Sequence, residues 1–63
     1  MDNTTLKDKL IEYLNKEIEL CSKYAIQAYE HKDFMIVEYW NGKVLAYKDS
    51  IYAVERIYKD NSI

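Results

Sequence analysis

Proline is absent from these 63 residues and Gly42 is the only glycine. A chain with so few turn-formers and breakers cannot be a many-turned β-protein or a flexible linker, so long uninterrupted helices are expected. The single cysteine, Cys21, excludes an intramolecular disulfide. No apolar run approaches the ~20 residues that span a bilayer, and no basic stretch leads into an apolar segment; a reducing cytoplasm is the expected setting. The chain also has little net charge: a formal −2 with interspersed signs gives no reason to expect DNA, RNA or an anionic membrane as the main partner. His31 is the only histidine and has no cysteine or histidine at metal-ligand spacing, so neither a metal nor a cofactor is expected.

What is present is a heptad-like apolar pattern. Val37, Trp40, Val44, Tyr47, Ile51, Val54 and Tyr58 alternate at spacings of three and four, which places them on one side of an α-helix. Ile11, Leu14, Ile18, Cys21, Ala25 and Ala28 form a second such seam, and the polar stretch Glu30-His31-Lys32-Asp33 separates the two. The pattern predicts one all-α domain over residues 1–63, an antiparallel two-helix hairpin with helices over about 5–30 and 33–59. Thr5, with Asp8 three residues on, offers a cap for the first helix; Asp33 offers one for the second. Arg56 and Lys59 suit the negative end of the second helix dipole.

A competing fold rests on Asn41-Gly42, a strong two-residue hairpin signal that would make the chain α-β-β-α. The helical seam passes Gly42 without losing phase, which favours helix. A helical glycine costs ~1 kcal/mol relative to alanine. Close packing would explain it, because Gly42, Ala46, Ser50 and Ala53 make a small-residue stripe open to another helix.

Both apolar arcs are wider than a hairpin needs. The first reaches Leu6, Tyr13, Leu20 and Tyr24; the second reaches Ile36, Tyr39, Ala46, Ala53 and Ile57. A chain this short buries only about 60% of its unfolded surface, so oligomerisation is the expected remedy. A homodimeric four-helix bundle is therefore expected, with Leu20, Tyr24, Tyr39, Gly42, Ala46, Ala53 and Ile57 as self-association residues.

The seven tyrosines and one tryptophan suit interfaces as well as cores. Trp40, Tyr47 and Tyr58 lie on the seam and read as core. Tyr52 projects onto the polar side of the second helix beside Leu45, framed by Glu38, Asp49 and Arg56, with Phe34 near the same side. Phe34, Leu45, Tyr52 and Arg56 are accordingly the partner-binding candidates. Glu12, Glu19, Asp8 and Glu30 read as a solvated face, and an acidic mimic of nucleic acid is diluted by Lys16 and Lys23. No glycine-rich loop, phosphate cradle or carboxylate pair at catalytic spacing is present, so an enzyme is not expected.

The segment from Ala28 to Asp49, AYEHKDFMIVEYWNGKVLAYKD, resembles the turn and second helix of small helical proteins of phages and mobile elements of Gram-positive bacteria. The resemblance covers about a third of the chain. It implies a compact helical protein that binds and disables a bacterial host factor, including antiphage defence proteins. Helical-hairpin kinase inhibitors and response-regulator phosphatases are similar in shape, but the phosphatases' Ser-Gln-Glu-Leu-Asp signature is missing here. The expected function is thus a non-enzymatic interaction module that blocks a bacterial protein. A nucleic-acid-linked regulator or mimic and a structural assembly element are the alternatives.

Overall fold

The computed structural model describes residues 3–61 and contains two helices, α1 (Asn3–Glu30) and α2 (Phe34–Asn61), packed against each other as a hairpin. Each has 28 residues and is therefore about 42 Å long. Among the described residues there is no strand. Asn41 and Gly42 lie inside α2, and the α-β-β-α alternative is excluded. The heptad phase that runs through this dipeptide outweighs its local turn preference. Thr5 is not the cap of α1, since the backbone is already helical at Asn3.

The reversal between the helices takes three residues. Asp33 N–H donates to the Ala28 carbonyl at 2.9 Å and Lys32 N–H to the Tyr29 carbonyl at 2.9 Å. Lys32 has φ 59°, so the end of α1 is a Schellman motif with lysine at the left-handed position where glycine is usual. Asp33 serves both helices. Its amide closes α1, while its carboxylate Oδ1 accepts from the Ile36 amide at 3.4 Å and its carbonyl accepts from the Val37 amide at 3.1 Å, capping α2 as expected. Tyr29 and Phe34 clasp the turn from outside, with ring centroids 5.9 Å apart and planes at 72°.

Every residue of both predicted seams is buried or half-buried. Among the described residues three are buried, Cys21 (3% exposed), Ala25 (7%) and Ala28 (8%). All three lie on the turn-proximal half of α1, where small side chains let α2 approach closely. No large side chain among the described residues is fully enclosed. The Cα atoms occupy 49 × 17 × 8 Å, the outline of a single layer of two helices. The exposed acids Asp8, Glu12, Glu19 and Glu30 form the expected solvated side, with Glu12 and Lys16 paired at 3.2 Å. Both partners are largely exposed, so this pair adds at most ~1 kcal/mol.

Two substitutions test the turn. Lys32→Gly relieves the left-handed strain and is expected to stabilise the hairpin by about 1 kcal/mol, while Asp33→Ala removes the α2 cap and is expected to cost about 1 kcal/mol. Urea denaturation followed by circular dichroism reads both. Equal midpoints for wild type and Lys32→Gly would contradict the strain assigned to that residue.

Candidate functional site

A single layer has two broad faces, and the helical phase assigns the side chains beyond the seam to one or the other. In an antiparallel pair, the flanks on the same rotational side of each seam share a face. On one face α1 presents Leu6, Leu10, Tyr13, Glu17, Leu20 and Tyr24, and α2 presents Ile36, Tyr39, Lys43 and Ile57. Ring contacts confirm the assignment: Tyr24 meets Trp40 across the helices at 4.8 Å, and Trp40 meets Tyr39 edge-on at 5.0 Å. The Lys43 ammonium lies 5.2 Å from the Tyr39 centroid and 5.6 Å from that of Trp40. The apolar residues of this tyrosine-rich face are exposed. Glu17 and Lys43, near its middle, are half-buried.

The opposite face is hollowed at its turn end. Ser22, Ala25, Ile26, Tyr29, Val37, Asn41 and Val44 line an open depression of about 320 Å³. It exists because alanine and valine face each other across the seam there, leaving the larger Ile26 and Tyr29 to stand at the rim. The seam pattern does not mark this hollow or its rim. The available signal was Ile26 and Tyr29 at i,i+3 beside Ala25 and Ala28.

The four partner-binding candidates do not form one patch. Tyr52 (71% exposed) and Arg56 do converge, in a shallow hollow of about 420 Å³ shared with Glu55, Lys59 and Asp60. A second hollow on the other side of Tyr52 is lined by Lys48, Ile51 and Glu55. Leu45 (63% exposed) lies on the same outer flank two turns toward the hairpin turn. Phe34 belongs instead to the Tyr29 clasp, about 27 Å along α2 from Tyr52. The charges lining the hollows beside Tyr52 are Lys48, Glu55, Arg56, Lys59 and Asp60, whereas Glu38 is about 21 Å away along the helix.

The self-association candidates divide as well. Leu20, Tyr24, Tyr39 and Ile57 are exposed on the tyrosine-rich face. Gly42, Ala46 and Ala53 are exposed too, rotated toward the outer edge of α2. A Cβ built on Gly42 meets nothing within 4 Å, so packing inside the hairpin does not require this glycine. Ser50, within the same stripe, donates its hydroxyl to the Ala46 carbonyl at 3.0 Å. His31 is exposed in the turn, and the Cys21 thiol is buried ten residues away on the seam. Among the described residues no group of three or more His, Cys, Asp or Glu could hold a metal, and no helix is long and apolar enough to cross a membrane.

Two groups on the tyrosine-rich side titrate above their ordinary values. The hydrogen bond with Tyr39 holds the Lys43 ammonium above its usual 10.5, and the Tyr39 charge adds to it. Partial burial raises the Tyr47 phenol above 10.0, reinforced by the Glu17 carboxylate. In both cases the folded chain keeps a proton that the unfolded chain has already released. Their contribution to stability is therefore complete below about pH 10 and is lost as pH rises through the raised values. Urea midpoints are expected to be level from pH 7 to 9 and to fall above about pH 10, less steeply in Tyr47→Phe; a midpoint that climbs through pH 10 would contradict the assignment.

No family model, curated protein or solved structure matches this chain.

Proposed function

We propose that the hairpin is a non-enzymatic interaction module that binds a bacterial protein and blocks it by covering part of its surface. The observation that carries this reading is the outer flank of α2, where Leu45 and Tyr52 stand well exposed and charged side chains of both signs frame Tyr52. Large aromatic and aliphatic groups ringed by charge are the arrangement of an interface hot spot: the apolar groups contribute contact area, and the charges set orientation. Tyr52 is suited to the role because its ring gives area at little entropic cost while its hydroxyl retains a polar end. Arg56 adds a planar donor able to hold a carboxylate in two places. The bacterial target is part of the proposal and draws on the resemblance of residues 28–49 to phage and mobile-element proteins. Inhibition by occupancy suits a small chain whose exposed groups offer contact area.

The test is capture from bacterial lysate on tagged wild-type protein beside a Leu45→Ala/Tyr52→Ala control, followed by assay of the captured protein with pure hairpin. The expected result is one protein retained by wild type, lost with the control, and inhibited at about one hairpin per target. A captured protein whose activity is unchanged at saturation, or equal retention by the control, would contradict the reading. Both substitutions lie at exposed positions outside the seam, and helicity is expected to be unchanged within the ~0.5 kcal/mol typical of surface sites.

A further inference from the structure

We propose that the tyrosine-rich face closes on a second copy of the chain about a two-fold axis parallel to the helices, so that α1 of each copy lies on α2 of the other with both turns at the same end. This goes beyond the reading of the outer flank as a target site and is measured on pure protein, so either can fail without the other.

Surface area is the first argument. The chain exposes 5291 Å², whereas area-to-mass scaling gives a compact monomer of 7.6 kDa about 4,300 Å². The excess of roughly 1,000 Å² is close to the ~800 Å² that each partner buries in a standard stable interface. The cover must also be present whenever the chain is folded, because the seam encloses no large side chain. A second copy is the occupant that is always available in equal amount.

Charge complementarity selects both the occupant and the axis. The face carries one half-buried acid on α1, Glu17, and one half-buried base on α2, Lys43. The Tyr24–Trp40 contact fixes the level of the two helices, setting Glu17 beside Tyr47 at mid-length and Lys43 beside Cys21, one helical turn nearer the hairpin turn. Placing α1 on the partner's α2 with turns together brings each Glu17 within a lysine's reach of the other copy's Lys43, making two ion pairs. With the turns at opposite ends, α1 lies on α1, and the two Glu17 carboxylates meet at mid-length.

Side-chain size agrees with the first arrangement. The exposed flank of α1 is large throughout, whereas α2 has Ala46, Ser50 and Ala53 along the middle of its length. Turns-together packing sets Leu20 near the other copy's Ala46, and Leu10 and Tyr13 around its Ala53. The opposite arrangement sets large against large.

Sedimentation of the pure protein is expected to give twice the 7.6 kDa chain mass at micromolar concentration. Glu17→Lys and Lys43→Glu should each weaken the dimer about tenfold or more, and the double variant should restore it, because both charges are exchanged together. A nitroxide on Lys32→Cys, with Cys21 buried and shielded from label, should report a spacing under about 20 Å, whereas opposed turns would separate the labels by about the 49 Å length of the plate. A folded monomer at micromolar concentration, no rescue in the double variant, or the long spacing would each overturn the proposal.

Discussion

Two helices laid side by side can each hide only one stripe of side chains from water, and that limit governs everything else in this protein. A domain ordinarily buries its apolar groups between two packed layers. Here there is one, a few ångströms thick at the level of the backbone, and the buried residues among those described are a cysteine and two alanines. Apolar side chains on the flanks of both seams therefore stand in water. Isolated exposed apolar groups are ordinary on any surface. A row of leucine, isoleucine and tyrosine along one face of a plate, interrupted by Glu17 and Lys43, is a different matter, since such patches mark contact surfaces.

The same limit explains why the two faces differ. Small residues at the turn end bring the helices together and leave a hollow on one face, while the aromatic cluster of Tyr24, Trp40 and Tyr39, with Lys43 over two of its rings, fills the seam from the other. The outer flank of α2 lies on the side away from the tyrosine-rich face. A second copy on the tyrosine-rich face would leave Leu45, Tyr52 and Arg56 outward, so the proposed self-association and target binding would not compete for the same side chains. A dimer would then present two identical outer flanks, an arrangement that strengthens attachment to a target with paired sites.

The hairpin was readable in the sequence because period-3.6 patterning is decisive when it persists. Thirteen seam positions kept phase across both helices, and that consistency outweighed the local turn preference of Asn41-Gly42. Asp33 was readable as a cap because a short carboxylate before an apolar run has few other local uses. Lys32 was not, since a lysine in the left-handed region carries no composition signal and is held there by the Schellman hydrogen bonds around it. The direction in which the candidate residues project was legible, but their grouping was not. Projection put Phe34 and Tyr52 on one side of α2, but it carries no information on distance along the axis or on the pull of Tyr29 across the turn. The hollow beside Ile26 was hidden for a related reason: its depth depends on how closely two helices approach.

The central claim is that this layer is completed by another copy, and the most direct test is how thermal unfolding depends on protein concentration. If folding and association are coupled, the midpoint followed by circular dichroism rises steadily as the chain is concentrated a hundredfold from low micromolar. A midpoint that stays fixed over that range, with sedimentation showing one chain throughout, would mean that the single layer holds itself together and that its tyrosine-rich face is exposed in the working protein.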